Sequence, residues 1–231
     1  MNNRNKIDEY NSTSPPKGGF RGVVKICGMK HPENISDVAA LQPDLMGFIF
    51  YPKSPRYAEP IDVDSLNALP KSIRKIAVFV NDTLENILAV VYKYNFDGVQ
   101  LHGTENAADC KALREAGLLV IKAFSIADAT NFKVTPTYEG VCDYFLFDTK
   151  TDAYGGSGVK FDWGILNEYK GETPFLLSGG IAVDDAEAIL KIEHPRFAGV
   201  DLNSKFEVSP GLKNVELLKG FGPLNSPQGD L

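Results

Sequence analysis

The chain is poor in the residues from which many functions are built. It has three cysteines, Cys27, Cys110 and Cys142, at no regular spacing. An odd, scattered set is no disulfide framework, so the chain is expected in a reducing cytoplasm. Its three histidines, His31, His102 and His194, are too dispersed to read as a metal site. It has no excess of positive charge: 24 Lys and Arg stand against 30 Asp and Glu, a net charge of −6. A nucleic-acid partner would want a basic face. An anionic small molecule is not excluded, because a nest of backbone N–H groups can hold one. No apolar run approaches the roughly 20 residues that span a bilayer. The opening stretch, MNNRNKIDEYNSTSPPKGGFRG, is polar and lacks the apolar centre of a signal peptide. Residues 1–21 are expected to be a flexible tail outside the fold.

What remains has a globular composition, 43% hydrophobic and 23% charged. A chain of 231 residues can bury a large core and still be one domain, expected over residues 22–231. From Val23 onward a short β-branched or aromatic run alternates with a helical pattern. The strand candidates are VVKICG, LMGFIFY, IRKIAVFV, DGVQLHG, LVIKAFSI, YFLFDTK, PFLLSGG and FAGVDLN, eight in all. Helical patterns lie between them, such as PENISDVAAL, TLENILAVVYKY, ENAADCKALREAG and VDDAEAILKI. In the second, Leu84, Ile87, Leu88 and Val91 share one face, after Thr83 or Asp82 as N-cap. The stretch ADATNFKVTPTYEG is the weakest helix, being short and containing Pro136.

Strands alternating with helices predict a parallel sheet, and eight units predict a closed (β/α)8 TIM barrel. The rival is an open, doubly wound sheet. That fold often carries G-x-G-x-x-G after its first strand, and CGMKHPE has no such turn.

A barrel places its site at the C-terminal ends of its strands. The unusual polar residues crowd those ends: Cys27, Gln100, His102, Asp148, Ser178, Asp201 and Asn203. Side chains alternate along a strand, so Lys25 and Cys27 share a face, as do Gln100 and His102, and Leu146 and Asp148. By position alone Cys27 reads either as a small buried hydrophobe or as a site thiol. Gln100 and His102 read either as polar residues satisfying each other or as lining a site. Cys110 and Cys142 read as structural.

The blocks VKICGMK, GFIFYPKSPRY, VFVND, VQLHG, FDTKTDAYGGSGVKFDW and LLSGGI resemble the phosphoribosylanthranilate isomerases of tryptophan biosynthesis. They occur in order between about Val23 and about Pro210. The resemblance implies a (β/α)8 fold and a cofactor-free Amadori rearrangement of N-(5-phosphoribosyl)anthranilate. It implies Cys27 as general base, Asp148 as general acid and Arg56 facing the anthranilate. No nucleic acid, membrane, metal or cofactor is expected, and the assembly is expected to be a monomer or a homodimer.

The chemistry of the residues agrees. Ring opening needs an acid, and proton removal at sugar C2 needs a base. The base would be a thiolate, which Lys25 on the same face could favour. The planar fork of Arg56 suits a carboxylate. Gly179 and Gly180 after the seventh strand fit phosphate, as does the segment after the eighth. The YGGSG cluster, with Gly156 and Ser157, is expected to lie over the substrate. After strand eight the relatives read close to V-S-S-G-V-E, whereas this chain reads LNSKFE. Here Asn203 and Ser204 are expected to begin a short helix at the phosphate, with Lys205 adding a charge.

Three rivals remain at this level. One is the histidine-pathway aminoaldose isomerase, which uses a carboxylate where Cys27 stands. Another is a Schiff-base aldolase using Lys122 or Lys25. The third is a catalytically silent binding barrel.

Overall fold

Runs of Val, Ile, Leu and Phe too short to span a helical core form the strands. The computed structural model describes residues 22–149 and 162–221. Eight parallel strands follow one another around a closed barrel: β1 (Val23–Cys27), β2 (Leu45–Ile49), β3 (Arg74–Phe79), β4 (Gly98–Leu101), β5 (Leu119–Ile126), β6 (Tyr144–Thr149), β7 (Phe175–Ser178) and β8 (Phe197–Leu202). β8 pairs with β1, Lys25 opposite Asp201, and this pairing removes both sheet edges. The closure decides against the open, doubly wound sheet.

Period-two alternation sorts the apolar residues into two layers. Val23, Leu45, Ile76, Ile121, Leu146 and Leu176 belong to a cluster of one parity, inside the barrel. Val24, Ile26, Phe48, Val99, Phe147 and Leu177 belong to the larger cluster beneath the outer elements. Lys25, Cys27 and Gln100 share the inner parity, so their polar ends sit within the ring.

The outer layer is only partly α-helical. It holds α1 (Pro32–Ala39), α2 (Val63–Asn67), α3 (Leu84–Tyr94) and α4 (Ala107–Glu115). Thr83 caps α3, accepting from the Asn86 N–H at 3.2 Å, and Asn106 caps α4 with a reciprocal bond from Asp109. The weak pattern after β5 forms a 3₁₀ helix, Ala129–Tyr138, with Pro136 inside it. The pattern VDDAEAILKI shortens to a 3₁₀ turn and α5 (Ala186–Ile189). Three features escaped the sequence reading: α2, a 3₁₀ helix at Trp163–Glu168, and α6 (Val215–Gly220). So did an antiparallel hairpin of β9 (Glu207–Ser209) and β10 (Leu212–Lys213). No helix among the described residues is long and apolar enough to cross a membrane. The expected tail, residues 1–21, lies outside the described residues.

Candidate active site

The strand ends build the site. Cys27 is the last residue of β1, Asp148 the penultimate residue of β6, and Arg56 lies between β2 and α2. A cavity of about 1340 Å³ opens there among the described residues. Cys27, Arg56, Gln100, His102 and Asp148 line it. So do Gly179, Gly180, Asn203 and Ser204, and with them Lys205. Gly156 and Ser157 lie outside the described residues.

Two backbone positions depend on glycine. Gly28 follows Cys27 with φ +80°, and a Cβ there would meet Arg56 Cδ and Asn203 Oδ1, each at 2.8 Å. Gly179 has φ +99°, and a Cβ would run into the backbone of Thr149. Both turns lie against the cavity, and only glycine fits them at low cost.

The Cys27 thiol is buried. Burial pushes it above its ordinary value; Lys25 pulls it down, and Asp201 pushes it up again. Lys25 Nζ donates to Asp201 Oδ1 at 2.9 Å, and both side chains are buried. Lys25 favours the thiolate, as expected, without setting the net direction. Its charge is shared with Asp201, and burial outweighs it.

Gln100 and His102 do both things that the sequence left open. Gln100 Nε2 lies 2.9 Å from His102 Nδ1, and both side chains line the cavity. His102 Nε2 lies 3.4 Å from Asp148 Oδ2. With the amide donating to Nδ1, the imidazole carries its hydrogen on Nε2, facing the carboxylate. Gln100 Oε1 is buried without a hydrogen-bond partner among the described residues.

Arg56 is more committed than the sequence suggested. Nε donates to Glu207 Oε1 and Oε2 at 2.9 and 3.0 Å, and Nη2 donates to Oε2 at 2.6 Å. Burial disfavours the Glu207 charge, but Arg56 and Lys213 hold it below the usual carboxylate range. Burial draws the Lys213 ammonium below its ordinary value, against the pull of Glu207. Neither Glu207 nor Lys213 was a candidate. A signal existed for Glu207, since it matches the final glutamate of the relatives' strand-eight block. No signal was drawn for Lys213, which lies beyond the eighth strand in a short hairpin strand.

The segment after β8 also departs from expectation. Ser204–Phe206 is a single 3₁₀ turn, too short to carry a helix dipole. Asn203 stands before it without a capping side-chain bond. Its Oδ1 accepts from Lys213 Nζ at 2.8 Å instead, because a buried ammonium takes any nearby oxygen. Lys205 is exposed and borders the cavity.

The profile of the N-(5'phosphoribosyl)anthranilate (PRA) isomerase family matches residues 24–222. The chain belongs to that family. It is 51% identical over 201 residues to the N-(5'-phosphoribosyl)anthranilate isomerase of Parabacteroides distasonis, covering 86% of this chain and 91% of the relative. It is similar to the phosphoribosyl anthranilate isomerase structure from Thermotoga maritima: TM-score 0.76, 34% identity, 87% of this chain and 96% of the other. A further phosphoribosyl anthranilate isomerase structure holds reduced 1-(o-carboxyphenylamino)-1-deoxyribulose 5-phosphate. Its TM-score is 0.75 at 29% identity, with 90% and 100% of the two chains covered.

Membership agrees with where the lysines lie. Lys122 is on the outer face of β5, donating to the Leu101, Gly103 and Ala123 carbonyls at 3.2, 2.7 and 3.3 Å. It also pairs with Glu105 at 3.5 Å and does not border the cavity. Burial works against the Lys25 charge, but Asp201 and Cys27 raise it above the ordinary lysine value, so it stays an ammonium. A Schiff base needs a neutral, accessible amine. Neither lysine supplies one, and the aldolase reading is set aside.

Proposed function

We infer that this chain isomerises N-(5-phosphoribosyl)anthranilate to 1-(2-carboxyphenylamino)-1-deoxyribulose 5-phosphate, with Cys27 as base and Asp148 as acid. The observation that carries the assignment is a single cavity with three groups at its rim: a buried thiol from β1, a carboxylate from β6 and a guanidinium from the loop after β2. β1 and β6 are three strands apart around the ring, so the two groups approach a bound ligand from different sides.

Asp148 gives a proton to the ring oxygen as the C1–O bond breaks, and the anilino nitrogen's lone pair forms the iminium. The positive nitrogen acidifies the C2 hydrogen. The Cys27 thiolate removes that proton, and the electron pair forms an enolamine. The Cys27 thiol then gives its proton to C1 of the enolamine while the C2 hydroxyl proton passes to the Asp148 carboxylate, which leaves the ketone and restores both groups. No atoms are gained or lost. A minor thiolate population suffices because the iminium has already weakened the C–H bond. His102, whose Nε2 lies 3.4 Å from Asp148 Oδ2, is assigned to orienting that carboxyl group for the transfer.

Arg56 is assigned to the anthranilate carboxylate. Gly179, Gly180, Asn203 and Ser204 are assigned to the phosphate end, with the backbone of both turns as the main donors. Gly156 and Ser157 are assigned to substrate binding. Residues 22–231 are taken as one catalytic domain, working as a monomer or homodimer. The Thermotoga maritima relative is described as dimeric. A reducing cytoplasm fits a base that must stay a free thiol.

The test is a fluorescence assay of purified protein with freshly made phosphoribosylanthranilate. Wild type should turn it over, and Cys27→Ser should lose on the order of 10²- to 10⁴-fold while remaining folded. A serine variant retaining more than about a tenth of wild-type kcat/KM removes Cys27 as the base.

A further inference from the structure

Arg56 and Glu207 form more than a surface pair. The Glu207 side chain is 4% exposed and that of Lys213 is wholly buried. Glu207 accepts from Lys213 Nζ at 2.8 Å and from the Gly211 N–H at 3.1 Å, besides the three contacts from Arg56. Lys213 also donates to the carbonyl of Asn203 and to its side-chain oxygen, at 3.3 and 2.8 Å.

The hairpin that carries the pair is anchored. Asn34 of α1 donates to the Lys213 carbonyl at 3.0 Å and accepts from the Lys213 N–H at 2.7 Å. The Asn214 N–H closes on the Phe206 carbonyl at 2.8 Å. Glu207 is thus fixed from β9, β10 and, through Lys213, α1.

A guanidinium offers N–H groups along distinct edges. The Nε–Nη2 edge of Arg56 is spent on Glu207, and Nη1 has no hydrogen bond among the described residues. The Arg56 side chain is 20% exposed and borders the cavity. The cluster of Arg56, Lys213 and Glu207 carries one net positive charge, which one carboxylate would neutralise.

We propose that Glu207, held by Lys213, is a positioning residue that turns the open edge of Arg56 toward the substrate's aryl carboxylate. The β9–β10 hairpin thereby makes the barrel selective for an aminoaldose whose amine bears an ortho-carboxylate. This rests on the assignment of Arg56 to that carboxylate. A fork aimed in advance loses less freedom on binding than a solvated arginine does.

The test compares Glu207→Ala and Glu207→Gln, each alone and with Arg56→Ala, in the full chain. Two substrates are used: phosphoribosylanthranilate and its aniline analogue, which lacks the carboxylate. Glu207→Ala should raise KM for phosphoribosylanthranilate on the order of 10- to 100-fold, with kcat moving far less. Glu207→Gln keeps one acceptor oxygen and should fall between alanine and wild type. Combined with Arg56→Ala, the Glu207 change should add less than about twofold, because the two act as one unit. The aniline analogue should respond to neither.

If Arg56→Ala leaves KM unchanged, the carboxylate assignment fails, and the inference with it. If Arg56→Ala raises KM but Glu207 variants do not, the inference alone fails. It also fails if the Glu207 effect persists at full size in the Arg56→Ala background, or if the aniline analogue suffers equally. Should Glu207→Ala not fold, Glu207→Gln on the two substrates decides by the same criteria.

Discussion

Lys25→Met removes the cation from a buried pair and leaves Asp201 without its partner. Lys25 is 0% exposed and Asp201 5%, so water does not replace the lost contact. Breaking such a pair from one side costs about 3–5 kcal/mol. For a domain of this size each kcal/mol moves Tm by about 2–4 °C, so a fall of roughly 6–20 °C is expected. The measurement belongs at pH 7. The folded Lys25 value lies above its unfolded one, so its contribution is complete below about pH 10 and is lost as pH rises through the folded value. Lys25→Met with Asp201→Leu, which removes both charges, should recover most of the loss.

The same substitution acts on Cys27. Lys25 pulls the thiol down and Asp201 pushes it up, so the two single variants split in sign. Lys25→Met should move the alkaline limb of kcat/KM to higher pH. Asp201→Asn should move it lower, although both variants are less stable. Thermal melts by circular dichroism and a pH profile between about pH 6 and 10 read both effects. A Lys25→Met protein that loses less than about 1 kcal/mol refutes the buried-pair argument. Limbs that move in the same direction refute the electrostatic account of Cys27.

Asp148→Asn keeps the shape and removes the transferable proton. Its kcat should collapse by about 10²-fold or more while a product analogue still binds; equal loss of binding would make Asp148 a ligand-positioning group instead. Lys205→Gly should weaken the substrate and a phosphate-only competitor by one common factor, more so at low ionic strength, and leave free anthranilate alone. Unchanged competition by phosphate would show that the exposed ammonium points to solvent.

The eight strands were legible because each is a short apolar run whose residues alternate between two buried layers, as Val23 and Val24 do. The strand-end residues Cys27, Gln100, His102 and Asp148 were legible for the same reason: period-two parity and barrel topology send them to one mouth. The 3₁₀ helices were not. Ala129–Tyr138 has no amphipathic stripe, carries Pro136 within it, and packs Tyr138 on Phe124 of β5 and Phe132 on Phe147 of β6. Nor was the β9–β10 hairpin, which is three residues against two and too short for any periodicity to register.

Sequence by itself determined the order of the eight strands, the face each strand side chain takes, and which strand-end residues meet at the rim. Those follow from local alternation and chain connectivity. Tertiary structure alone decided how the charges are shared. Lys25 and Asp201 are 176 residues apart, and Arg56 and Glu207 are 151 apart. Closing the ring brings β8 against β1, and folding the hairpin back brings Glu207 under Arg56. Only there does burial set the Cys27 thiol above its ordinary value, because the cost of desolvation depends on what surrounds a group, not on its neighbours in the chain.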